Sequence, residues 1–87
     1  MHVLIIEDDP NLSEYLQQSL SREGYTIDCC STVDEVHAFM TSTHSEIPSV
    51  VILDRMLGRN DGATLIIRLK EKYPGTGILI LSSLDMA

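Results

Sequence analysis

The sequence has no tryptophan and one phenylalanine, Phe39, and its aromatic share is only 5%. Any core it builds must therefore be mainly aliphatic. Its cysteines number two and stand side by side, Cys29 and Cys30. Neighbouring side chains on a strand point to opposite faces, which argues against a bond between them, and a zinc site would want a spacer and further ligands. They read as small, half-buried hydrophobes. No apolar run is longer than four residues, far short of a membrane span. Positive charge is scarce as well: six Lys and Arg stand against thirteen Asp and Glu, for a net charge of −7. That balance argues against direct binding to nucleic acid or to an anionic membrane, which both need a cationic footprint. The first residues lack the basic and long apolar stretches of a secretion signal, so the protein reads as cytoplasmic.

With 87 residues there is room for one small domain. Apolar runs recur at residues 3–6, 25–29, 50–53 and 78–81. The first, third and fourth are continuous and rich in aliphatic, often β-branched residues, as in strands of a parallel sheet covered on both faces. The second alternates, with Tyr25, Ile27 and Cys29 on one side and Thr26 and Asp28 on the other, which fits an edge strand with a wetter face. Helical patterns fill the gaps. Leu12, Leu16 and Leu20, with Tyr15 beside them, mark one helix, which Asp9 can cap and Gly24 can end. Thr32 with Glu35 three residues on is a capping-box arrangement for a second, with Val33, Val36 and Met40 as its stripe. Residues 42–48 read as a loop. A third helix is expected from about Ala63 to Lys72, with Ile66, Leu69 and Tyr73 along one side and Pro74-Gly75 as its stop. The order β-α-β-α-β-α-β, with right-handed crossovers, gives a doubly wound α/β sheet. The pattern calls for another helix after the fourth strand. The chain thus reads as an incomplete domain, cut at its C-terminus by design, by proteolysis or by disorder.

In open α/β sheets, function gathers at the carboxyl ends of the strands. Glu7 and Asp8 follow the first strand and Asp54 follows the third. If those strands are neighbours, the three carboxylates converge, and like charges in a partly desolvated pocket repel unless a proton or a cation joins them. Mg²⁺ suits such a place, because it takes oxygen ligands, few carboxylates and a phosphate oxygen. A carboxylate there can also attack phosphorus, and Ser82, at the end of the fourth strand, can offer its hydroxyl to the phosphoryl group. Asp9 lies one residue too far to share the pocket and is expected to cap the helix.

Ile5-Ile6-Glu7-Asp8-Asp9-Pro10 with Gly24-Tyr25, Val51-Ile52-Leu53-Asp54-Arg55-Met56-Leu57 with Asn60-Asp61-Gly62, and Leu79-Ile80-Leu81-Ser82-Ser83 together resemble bacterial response-regulator receiver domains of the CheY-like kind. The resemblance covers the whole chain. It implies a flavodoxin-like sheet of order 2-1-3-4, with the fifth strand and last helices missing. It implies phosphorylation of Asp54 by a sensor histidine kinase, and Mg²⁺ held by Asp8, Asp54 and the Met56 carbonyl, with Glu7 acting largely through water. Ser82 would reorient toward the phosphoryl group. A homodimer, and transcription regulation through a DNA-binding output domain outside this sequence, also belong to the family's repertoire. The family is a phosphoacceptor regulator and not a turnover enzyme. Arg55 stands where an apolar residue is usual and Gly58 where Pro is frequent. The family's active-site Lys and aromatic switch residue lie beyond Ala87.

Two other α/β readings fit less well. An aspartate-nucleophile phosphohydrolase wants a second carboxylate two residues after the nucleophile, where Met56 stands. A nucleotide-binding domain wants glycines after the first strand, where Glu7-Asp8-Asp9 would repel phosphate. A receiver-like interaction module that is never phosphorylated would have no need of Glu7, Asp8, Asp54 and Ser82 together. His2, His37 and His44 lack ligand spacing and read as surface or core packing. Arg68, Lys70, Glu71 and Lys72 read as a solvated helix face.

Overall fold

The computed structural model describes residues 1–43, 46–54 and 62–81. Its elements run β1 (His2–Ile6), α1 (Pro10–Arg22), β2 (Thr26–Cys30), α2 (Val33–Thr41), β3 (Val50–Asp54), α3 (Gly62–Lys72) and β4 (Gly77–Leu81). The four strands form one parallel sheet in the order β2-β1-β3-β4, the order that the resemblance implies.

The strands lie where they do because their side chains supply two cores, one on each face. Leu4, Ile6, Val51 and Leu53 point to the face covered by α2 and α3, where they meet Val36, Met40, Leu65, Leu69 and Tyr73. Val3, Ile5 and Ile52 point to the other face and meet Leu16 and Leu20 of α1. Every residue of β1 is buried, as a central parallel strand requires. Full burial of each such aliphatic side chain is worth about 1.5–3 kcal/mol.

The helix ends follow local chemistry. Asp9 caps α1 by accepting from the Asn11 amide at 2.9 Å, and Pro10 takes the first turn. The helix closes on Gly24, whose φ of +92° favours glycine; Gly24 N–H donates to Ser21 and Tyr25 N–H to Leu20, the Schellman pattern. At α2, Thr32 Oγ1 accepts from the Glu35 amide at 3.1 Å. The return bond differs from a standard capping box: Glu35 accepts from Ser31, from its amide at 2.7 Å and its hydroxyl at 3.1 Å, one residue further back.

Several expectations are corrected in detail. In α1 the buried position is Ser13, with Leu16 and Leu20 half-buried, while Leu12 and Tyr15 face water. The small serine leaves room for the helix to sit on the sheet. In α3 the stripe is centred on Leu65, Leu69 and Tyr73, and Ile66 only flanks it. Strand β2 is the expected edge and carries Ile27 on the α1 side, but it ends one residue later. Cys30, which shares a face with Thr26 and Asp28, is buried under α2, and Cys29 is exposed. Both thiols are free, and burial pushes the Cys30 thiol up to about 12.

On β4, Leu79 and Ile80 remain 55% and 46% exposed on opposite faces of the edge strand. Exposed apolar residues on a sheet edge promote association. The 87-residue chain, prepared on its own at high concentration, is expected to sediment as a species larger than a monomer. Leu79→Lys together with Ile80→Lys should return it to a monomer. A wild-type chain that stays monomeric throughout the concentration range would contradict this.

Candidate functional site

Strands β1 and β3 are adjacent, with Ile6 opposite Leu53, so the residues that follow emerge together at the carboxyl end of the sheet. Glu7 extends the ladder by one bond, its amide donating to the Cys30 carbonyl at 3.0 Å. Asp54 is the last residue of β3. By strand alternation Glu7 and Asp54 share the α1 face with Ile5 and Ile52. Both are buried, while Asp8, next along the chain, is exposed.

One carboxylate oxygen from each of Glu7, Asp8 and Asp54 lies within 4.8 Å of the other two, the only such group of ligating residues found among the described residues. The convergence expected from strand ends is therefore present. Asp9 remains outside the cluster and caps α1, as expected, but its amide donates to Glu7 Oε2 at 3.1 Å. Sequence reasoning missed that contact, since it depends on the turn after β1 and not on a residue type. Met56 and Ser82, the other two site residues expected from sequence and resemblance, lie outside the described residues, as do Arg55, Gly58 and His44.

The electrostatics of the cluster are those of crowded acids. The Glu7 carboxyl is pushed up to about 7. Burial is the main cause; the Asp54 charge and hydrogen bonds with Asp8 and Asp54 add to it, and the Asp9 amide opposes it. Without a cation, Glu7 thus gives up its proton only near neutral pH. A hard divalent ion removes the need for that proton, because three oxygen donors at this spacing, one of them exposed, match a partly hydrated oxygen site. The residues present fit Mg²⁺. They also fit a nucleophilic role for Asp54, a buried carboxylate beside a place for positive charge.

Comparison with known proteins agrees with this fold. The family model of the response regulator receiver domain matches residues 3–87. The transcriptional regulatory protein PmrA of Pectobacterium parmentieri is 41% identical over 85 residues, covering 98% of this chain and 37% of the relative. The chain spans about a third of the length of such curated relatives. Among solved structures, a response regulator protein from Burkholderia pseudomallei with a phosphorylated aspartic acid, calcium ion and citrate superposes with a TM-score of 0.87 at 26% identity, covering 97% of this chain and 48% of that one. The response regulator protein TrrA from Thermotoga maritima, in complex with Mg²⁺ and a beryllium fluoride, superposes with a TM-score of 0.79 at 26% identity, covering 97% of this chain and 70% of that one.

The raised Glu7 carboxyl makes the metal-free protein pH-dependent in a defined sense. Its folded value, about 7, lies above the ordinary 4.5, so the stabilisation it brings is full below pH 4.5 and is lost as pH rises to about 7. The loss amounts to at most about 3 kcal/mol. Glu7→Gln should flatten this slope and raise the metal-free melting temperature at pH 7.5. Urea melts in EDTA across pH 4.5–7.5 would check it; identical slopes for both proteins would contradict it.

Proposed function

The chain belongs to the response-regulator receiver-domain family, and we propose that it accepts a phosphoryl group on Asp54 from a sensor histidine kinase, as the input module of a two-component system. The observation that carries this reading is the meeting of Glu7, Asp8 and Asp54 within 4.8 Å at the ends of adjacent parallel strands. The phosphorylated aspartic acid and calcium ion of the Burkholderia pseudomallei protein, and the Mg²⁺ of the Thermotoga maritima protein, support it.

In this reading an Asp54 carboxylate oxygen attacks the phosphorus of a phosphohistidine. The new O–P bond forms as the P–N bond breaks, and the electron pair goes to the departing imidazole nitrogen, which takes a proton from solvent. The product is an acyl phosphate on Asp54. Asp8, Asp54 and the Met56 carbonyl would hold Mg²⁺ directly, with Glu7 acting through water, and the ion supplies positive charge against the phosphoryl oxygens. The Asp9 amide orients Glu7 for that task by holding one of its oxygens at 3.1 Å. Ser82 would donate its hydroxyl to a phosphoryl oxygen, a role that rests on its position just after β4. The chain works as a stoichiometric acceptor rather than a turnover enzyme.

The relatives support a wider setting. In this reading residues 1–87 are the greater part of a receiver domain, which the family match over residues 3–87 supports. The parent protein would continue through the remaining strand and helices into an output domain that binds DNA, as the description of PmrA as a transcriptional regulatory protein suggests. This part of the chain, with a net charge of −7, would leave DNA contacts to that output domain. No helix among the described residues is long and apolar enough to cross a membrane, and a cytoplasmic location suits a regulator of transcription.

Intact mass after incubation with acetyl phosphate and Mg²⁺ should show one added phosphoryl group on the chain and on its parent, labile to hydroxylamine, and Asp54→Ala should show none. Mg²⁺ at ten times its Kd should stabilise the wild type by about 1.4 kcal/mol, a rise of several degrees in Tm, and the same variant should lose most of it. Phosphorylation that persists in Asp54→Ala would remove Asp54 from its role; an equal Mg²⁺ shift would remove the metal site.

A further inference from the structure

The turn between β1 and α1 puts one exposed residue to three uses. Asp9 lies outside the acidic cluster, with extended backbone at φ −83° and ψ 111°. Its Oδ1 accepts from the Asn11 amide at 2.9 Å, and its carbonyl accepts from the Ser13 amide at 2.9 Å, the first bond of α1. Its own amide turns the other way and donates to Oε2 of buried Glu7 at 3.1 Å. Pro10, next along, has a ring that fixes its φ, so the chain on the helix side of Asp9 is stiff.

A glutamate side chain turns about several bonds, and a role through water needs its carboxylate held in one place. The direction of the Asp9 amide depends on the backbone torsions around it, and those of Asp9 are the ones that its carboxylate fixes by capping the helix. Loss of that carboxylate would free residue 9 and, with it, the amide that holds Glu7. Charge is the lesser part of the effect, because Asp9 is exposed and water screens it. We propose that Asp9 is a positioning residue for the metal pocket, acting on Glu7 through its helix cap and its own amide. The inference rests on the Mg²⁺ reading of that pocket.

Coupling of this kind is reciprocal. If the cap brings Glu7 to its place, Mg²⁺ held with the help of Glu7 tightens the start of α1 in return. The amides of Asn11 and Ser13, whose acceptors are both atoms of Asp9, should then exchange with solvent more slowly when Mg²⁺ is bound. A cap that only adds stability has no such link to the pocket. Thr32 provides the comparison, since it caps α2, on the opposite face of the sheet, by accepting from the Glu35 amide at 3.1 Å.

The test is calorimetric titration of Mg²⁺ into the full 87-residue chain and its variants Asp9→Ala, Asp9→Asn and Thr32→Ala, with amide exchange followed with and without the ion. Asp9→Ala should weaken Mg²⁺ binding by about tenfold, the low end of what the outer partners of metal ligands contribute. Asp9→Asn keeps the cap without the charge and should bind within about twofold of the wild type. Thr32→Ala should bind as the wild type does. Mg²⁺ should slow exchange at Asn11 and Ser13 in the wild type, and the response at Ser13 should vanish in Asp9→Ala. A wild type that binds no Mg²⁺ defeats the pocket and this role together. Where the wild type binds, an unchanged affinity in Asp9→Ala, or an equal loss in Asp9→Asn or in Thr32→Ala, overturns the positioning role and leaves the pocket standing.

Discussion

The parallel pairing of β1 with β3 governs what this molecule can do. The two strands run in step, Val3 beside Val50 to Ile6 beside Leu53, with Glu7 just after the first and Asp54 closing the second. A slip of one residue would exchange the two faces of a strand, moving Leu4 and Ile6 from the core shared with α2 and α3 into the core under α1. Both cores resist that exchange, because each is already filled. Aliphatic packing therefore sets the relative height of Glu7 and Asp54, and the acids inherit a spacing that their own charges would oppose. The cost of crowding carboxylates falls on a framework whose buried side chains each contribute about 1.5–3 kcal/mol.

The turn after β1 shows how few residues position the site. Asp9 spends its side chain on the Asn11 amide, starting α1, and its own amide on Glu7 Oε2. Helix start and pocket orientation are thus one structure. The following helix lies over Val3, Ile5 and Ile52, the face onto which Glu7 and Asp54 project, and so walls the site on one side. On the other side of the sheet α2 and α3 supply mass without touching the chemistry: Val36, Leu65 and Leu69 pack under Leu4, Ile6 and Leu53.

Much of this was legible from the sequence where a local pattern had one structural solution. Continuous aliphatic runs at Val3, Val50 and Ile78 specify strands, and acids directly after two of them specify which end carries function. Where two solutions compete, the sequence points the wrong way. Leucine spacing in α1 favours Leu12 and Tyr15 as contacts, yet it is small Ser13 that is buried against the sheet. Alternation in β2 puts Cys29 on the side of Tyr25 and Ile27, but the last residue of that strand, Cys30, is the buried one, beneath α2. These choices depend on how closely a helix approaches the sheet, which no periodicity records. The amide of Asp9 was invisible for a different reason: every residue but proline has one, and only the turn decides where it points.

An acidic chain has to place many carboxylates, and the two ends of β1 hold theirs differently. At Glu7 the acids are brought together from adjacent strands; burial and the Asp54 charge raise the Glu7 carboxyl, and a proton there or an added ion relieves the crowding. At His2 the carboxylates of Asp28 and Glu46 lie beside the ring at the solvent edge, where water solvates them. The first arrangement crowds its acids at a buried strand end, and the second leaves them in water. That one buried strand meets both follows from its place between β2, which carries Asp28, and β3, which carries Asp54.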